Sequence, residues 1–143
     1  DLMLGDDLMA AMISAAQRGV DVRIIMPGVP DKKLIFRMSR SFYQVLLSGG
    51  VKIYEYTPGF VHAKSFVSDD RVATIGTVNL DYRSLFLHFE NNSLFYREGI
   101  VSRIKRDFLE TQEKCSEVKP YDTKHYSRRW AIDGILRIFA PLC

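Results

Sequence analysis

The chain has 143 residues, is 47% hydrophobic and 26% charged, and carries a formal net charge of +3, which suits one core and a mild preference for anionic partners. The basic residues form no dense cluster of the kind that signals nucleic acid, and Cys115 and Cys143 have neither zinc or redox spacing nor the density of a disulfide scaffold, so free thiols in a reducing compartment are expected. No run reaches the roughly 18 to 20 apolar residues of a membrane-spanning helix, and no signal-peptide pattern is present.

The sequence starts with Asp1 rather than Met and enters a helical pattern at once, so a piece of a longer protein is expected. Over residues 8–18, Leu8, Met9, Met12, Ile13 and Ala16 recur at helical spacing, and "RGVDVRIIMPG" turns through Gly19 into a buried strand. The segment "PDKKLIFRMSRSFYQVLLSGG" repeats that unit. It offers Asp31 as N-cap, Leu34, Met38, Phe42, Val45 and Leu46 on one face, and Gly49 with Gly50 as the stop. "VKIYEY" is the next strand, and two helix-then-strand units in succession predict crossovers and parallel pairing.

Residues 61–67 and 71–75, joined through Asp69 and Asp70, read as an antiparallel hairpin added to that sheet. Residues 76–87 read as irregular and polar. "HFENNSLFY" reads as a further strand and "GIVSRIKRDFLETQEKC" as an amphipathic helix ending before Pro120. The expected fold class is α/β: a layered α/β sandwich with a mixed, mostly parallel sheet flanked by helices over residues 1–120, then a helical tail over residues 121–143. In that tail, Arg129, Asp133 and Arg137 recur every four residues, with Trp130, Ile135, Ile138 and Phe139 elsewhere around the helix. Such a helix suits an anionic membrane surface and a protein partner equally.

The chemistry concentrates in "VHAKSFVSDD". Side chains alternate along a strand, so His62, Lys64 and Phe66 would share a face, and two cationic groups there are explained by an anion between them. Phosphate suits both. Further on, Gly76 supplies a tight turn, Thr77 a hydroxyl, Asn79 an amide donor and Glu90 a carboxylate. Tyr54, Tyr56 and Phe60 read as packing near a strand end rather than as a pocket lining, and His88 as a strand residue without chemistry.

"HAKSFVSDDRVATIGTVN" resembles the HxKxxxxD(x6)GxxN pattern of the phospholipase D superfamily, with His62, Lys64, Asp69, Gly76 and Asn79 at matching positions. With "AAQRGVDVRIIMPGVPDKK", "GVKIYEYTPGFVHAK" and "NLDYRSLFLHFENN", nearly the whole chain is similar to the C-terminal half of bacterial cardiolipin synthases. The resemblance implies transfer of a phosphatidyl group between two phosphatidylglycerol molecules through a phosphohistidine, giving cardiolipin and glycerol. His62, Lys64 and Asp69 would form the catalytic motif. His62 would be the general acid and base, with nucleophile as its alternative role, and Asp69 would support the hairpin turn. Lys64, Thr77 and Asn79 would hold the phosphate, Gly76 would be the structural turn, and Glu90 would fix the tautomer of His62.

Neither metal nor cofactor is implied, because a histidine nucleophile replaces metal-activated water. The implied partners are phosphatidylglycerol and an anionic membrane surface, and no nucleic acid. The implied localisation is the bacterial cell membrane for the full-length protein. Superfamily sites use two such motifs, whereas His88 and His125 lack a lysine two residues later. The second motif is therefore expected from an N-terminal half of the same enzyme, or from a second copy. The competing readings are a single-motif phosphodiesterase or nuclease active as a homodimer, and a non-catalytic domain that binds membrane or a partner.

Overall fold

A computed structural model describes residues 2–30 and 32–120, so the expected Asp31 cap and the tail, with His125 and Cys143, lie outside the described residues. The first half runs β1 (Leu2–Met3), α1 (Asp6–Gln17), β2 (Arg23–Pro27), α2 (Lys33–Ser41), α3 (Tyr43–Ser48) and β3 (Lys52–Tyr56). Both expected glycine stops occur. Gly19 and Gly50 each adopt φ 92°, a left-handed conformation that costs glycine little. The following amides bond back, Val20 N to Ala15 O at 3.1 Å and Val51 N to Leu46 O at 3.0 Å.

The second helical run is two helices rather than one. Ser41 Oγ donates to Met38 O at 2.7 Å, and a serine that bonds back to its own helix competes with the ladder and bends it. The break at Phe42 changes the phase. Met38, Phe42 and Leu46 are buried as expected, but Leu34 and Val45 are exposed.

β2 and β3 pair in parallel, Arg23 with Lys52 through Pro27 with Tyr56, as the two helix-then-strand units require. A short antiparallel strand, β8 (Cys115–Glu117), extends this sheet on the far side of β3. It occupies the end of the stretch expected to be helical. The hairpin forms from β4 (Ser65–Ser68) and β5 (Val72–Gly76), with Ser65 opposite Ile75 and Ser68 opposite Val72. Asp69 and Asp70 have φ of 51° and 56°, and positive φ at both central positions marks a turn whose twist matches the strands it joins.

This hairpin is not added to the first sheet: it builds a separate three-stranded sheet with β7 (Asn92–Tyr96). Residues 76–87, expected to be irregular, contain β6 (Leu80–Asp81), which pairs in parallel with β1, and a short helix α4 (Tyr82–Phe86). Asp81 caps that helix, its carboxylate accepting from Ser84 N at 2.6 Å. The mixed α/β class stands, but among the described residues the strand pairings are two parallel and three antiparallel, rather than mostly parallel.

Two cores result. The larger gathers Leu2, Met3, Leu4, Met26, Met38, Phe42, Tyr43, Leu46, Val51, Ile53 and Val118, with the apolar face of α1 packed against it. The smaller joins Ala73 on β5 to Val101 and Ile104 of α5 (Gly99–Gln112), with Val67 and Phe95 beside them. Helix α5 touches β3 as well as β4, β5 and β7, so it links the two sheets.

Asp21, just before β2, ties the first sheet together. It accepts from Arg23 Nε at 2.9 Å and from Lys52 Nζ on β3 at 2.8 Å. Those two cations hold its carboxyl well below the usual range, from 3.8 to about 2. A depressed folded-state value stabilises above the unfolded value, and that gain is lost as pH falls through about 2. Asp21→Asn is therefore expected to lower the melting temperature above about pH 4 and to leave it unchanged near pH 2. The loss is below about 1 kcal/mol, because the side chain is 46% exposed. Thermal unfolding followed across that pH range checks both the size and the disappearance of the effect.

Candidate active site

The site gathers where the β4–β5–β7 sheet meets the chain entering it. β4 starts at Ser65, so His62 and Lys64 precede the ladder instead of sitting within a strand. One bond, Gly76 N to Lys64 O at 3.2 Å, carries the pairing just beyond β4 and fixes Lys64 beside the end of β5. The Lys64 ammonium donates to His62 O at 2.9 Å, which holds the two residues together through backbone rather than through a shared strand face. His62 is exposed and its ring stacks on Phe60 at 5.7 Å between centroids, so Phe60 shapes the surroundings of the imidazole. No side-chain hydrogen bond engages the His62 ring or the Asn79 amide among the described residues. Both groups keep their full bonding capacity for a ligand.

Gly76 admits a close approach. A Cβ built there would lie 1.8 Å from Asn92 Oδ1 and 2.1 Å from Asn91 O. That approach lets Thr77 N reach Asn91 O at 3.0 Å while Asn91 N donates to Thr77 Oγ1 at 3.0 Å. The Thr77 hydroxyl spends its one proton on a short bond to Glu90 Oε2. Thr77 therefore holds Glu90, and in this structure it does not present the phosphate donor expected of it.

The carboxylate of Glu90 is 16% exposed. Hydrogen bonding to the Thr77 and Ser84 hydroxyls, with a smaller electrostatic effect of His88 and Lys64, holds its carboxyl below the ordinary value. The bond expected from Glu90 to His62 is not made. Burial pushes the Lys64 ammonium down, while the nearby carboxylates of Glu90 and Asp81 act in the opposite direction. A half-buried cation with protons to spare is suited to an anion, because the ligand offsets the desolvation that burial imposes.

Asp69 lies elsewhere. It sits in the turn at the opposite end of the hairpin, with Ser68 Oγ 3.3 Å from its carboxylate. Four residues of extended chain separate it from Lys64, a span on the order of 15 Å, so it supports the turn and does not touch what binds at Lys64. Its neighbour Asp70 ties the turn to α5 through Lys105 Nζ at 2.6 Å.

Three contributors escaped the sequence reading. Asp81, buried as the cap of α4, is one of the two carboxylates acting on Lys64. Ser84, on the same helix, helps hold the Glu90 carboxyl below its ordinary value. His88 lies outside β7, where its Nε2 accepts from Arg83 Nε at 2.7 Å and its Nδ1 lies 4.0 Å from Glu90 Oε1. The available signal was the spacing of "DYRS", an aspartate three residues before a serine amide that it caps. No group of three or more His, Cys, Asp or Glu side chains among the described residues could hold a metal ion. No described helix is long and apolar enough to cross a membrane.

Comparison with known proteins shows the family and the fold. Residues 2–112 match the family model described as cardiolipin synthase, PLD-like domain. Cardiolipin synthase 2 of Bacillus anthracis is 41% identical over 139 residues, covering 96% of this chain and 27% of that protein. The cardiolipin synthase of Halalkalibacterium halodurans is 39% identical over 140 residues, with the same coverage of each chain. An uncharacterized protein of Streptococcus mutans is 51% identical over 142 residues, which are 99% of this chain and 31% of that one. The chain thus spans less than a third of the length of these relatives. The crystal structure of Nuc, a phospholipase D family member from Salmonella typhimurium, superposes with a TM-score of 0.72 at 17% identity, covering 82% of this chain and 77% of that one. The fold is therefore that of phospholipase D, and the chain belongs to the cardiolipin synthase PLD-like domain family of the phospholipase D superfamily.

Proposed function

We propose that this chain supplies one of two catalytic motifs to a phosphatidyltransferase that makes cardiolipin from phosphatidylglycerol. The observation that carries the reading is the bond by which Lys64 Nζ is anchored to the backbone of His62, beside an exposed imidazole. The relatives named cardiolipin synthase support the substrate class.

In the first step the histidine of the other motif attacks phosphorus of one phosphatidylglycerol. A P–N bond forms, the P–O bond to the terminal glycerol breaks, and His62 gives its proton to the departing alkoxide. In the second step the free hydroxyl of another phosphatidylglycerol attacks phosphorus, His62 takes its proton, and the P–N bond breaks. Two phosphatidylglycerols become one cardiolipin and one glycerol, with no change of oxidation state. Lys64 and Asn79 donate to the non-bridging oxygens as charge builds on them. The full-length protein works at the bacterial membrane surface, where its lipid substrate lies, and the second motif comes from the N-terminal half of the same enzyme. Residues 1–120 form the catalytic unit and residues 121–143 a separate tail.

The test compares the 143-residue chain with the full-length protein on phosphatidylglycerol vesicles, with molecular mass measured in parallel. The expected result is an inactive monomer for the short chain, with cardiolipin and glycerol released by the full-length protein. An active dimer of the short chain that cleaves phosphodiesters would replace this reading with that of a single-motif phosphodiesterase.

A further inference from the structure

The contacts around Glu90 raise a question that phosphate transfer alone does not answer: what keeps this carboxylate from pairing with Lys64, the cation the phosphate needs? Its Oε2 is held by Thr77 and its Oε1 faces His88 Nδ1 at 4.0 Å. His88 is itself clamped. Arg83 Nε donates to His88 Nε2 at 2.7 Å, and His88 N donates to Arg83 O at 2.9 Å, which folds the segment after α4 back onto that helix. A guanidinium has no acceptor, so Nε2 must offer its lone pair, and a neutral ring then carries its proton on Nδ1, the nitrogen facing Glu90. At 4.0 Å the contact is a dipole directed at a carboxylate rather than a closed hydrogen bond, and a bridging water fits the distance. Besides His88, the charged groups around Glu90 are Lys64 and, beyond it, Asp81, with Arg83 behind the imidazole.

We propose that His88 is a positioning residue, set in its tautomer by Arg83, which holds Glu90 off Lys64 and so keeps the ammonium open to the phosphate of the substrate. The proposal rests on the phosphatidyl-transfer reading for its kinetic consequence and on geometry alone for the tautomer. Without His88, Glu90 keeps its Thr77 bond through Oε2 but its Oε1 turns toward Lys64 and competes with the incoming anion, which weakens binding rather than the chemical step.

Two measurements on the full-length protein test this. With selective 15N-histidine labelling, and His88→Asn to assign the signal, the imidazole shifts should show Nδ1 protonated and Nε2 bare at neutral pH. In steady-state transfer assays, His88→Leu should raise KM for phosphatidylglycerol roughly fivefold, the worth of one exposed ion pair, with little change in kcat. His88→Asn should bring KM back to within about twofold, because an amide both accepts from Arg83 and donates toward Glu90. A ring protonated on Nε2, an unchanged KM in His88→Leu, or an Asn variant as weak as the Leu variant overturns the proposal. Because the shifts do not depend on the reaction, a protein without phosphatidyl transfer still decides whether the clamp exists.

Discussion

Replacing His62 by alanine in the full-length protein is expected to lower phosphatidyl transfer at least about a thousandfold, since in the proposed reaction the histidine carries protons in both halves. The fold should be indifferent to the change. His62 is exposed, precedes β4, and its ring stacks on the surface of Phe60, so the melting temperature should stay within about 2 °C of the wild type. Lys64→Met should fall by roughly a hundredfold or more, as it removes the donor to the transferring group and the tether to His62 O. Residual transfer near wild type in either variant contradicts the assigned roles. Trapping labelled phosphate during turnover then separates the two roles open to His62: label on the histidine of the other motif leaves His62 as acid and base, whereas label on His62 makes it the nucleophile.

Gly76→Ala should produce the largest loss of stability among the substitutions considered. The new methyl would meet Asn92 Oδ1 at 1.8 Å, Asn91 O at 2.1 Å and Asn92 Cα at 2.6 Å, and two of those atoms are backbone that no rotamer change can move. The strands must separate at that row, at a cost of about 3 kcal/mol or more, which is a fall of roughly 10 °C in melting temperature. Because Thr77 and Asn91 exchange two hydrogen bonds beside the glycine, Glu90 loses its support at the same time. Activity should therefore fall with stability. A variant that melts with the wild type would show that β5 and β7 do not approach as closely as this structure has them.

Sequence pattern revealed most where structure is local. The helix-then-strand units ending at Gly19 and Gly50 and the turn through Asp69 and Asp70 each depend on neighbours a few residues apart, and each formed as expected. The two-residue strands β1 and β6 could not be read, because Leu2 and Leu80 pair across the whole length between them and two residues show no period. β8 failed for the same reason at three residues. The break at Phe42 hides inside a continuous helical pattern, since it depends on which carbonyl the Ser41 hydroxyl bonds. At the site, spacing singled out His62, Lys64, Asn79 and Glu90 as candidates but not who bonds whom. Alternation along a strand cannot tell whether Glu90 reaches His62 or Thr77, and β4 begins too late for alternation to apply to His62 at all.

The division of the interior into two cores has a dynamic consequence. The larger core secures β2 and β3, whereas the sheet carrying Gly76 and leading to Lys64 rests on Ala73, Val101 and Ile104 with a few half-buried neighbours. Exposed apolar side chains cluster in the same part of the chain, among them Phe66, Phe86, Leu87, Phe89, Leu94 and Tyr96. Local opening free energy follows buried apolar contact, so the amides of β4, β5 and β7 exchange with solvent sooner than those of β2 and β3. The candidate site thus rests on the less stable cooperative unit of the molecule, so opening of that small sheet, rather than of the larger core, sets how long the site stays assembled.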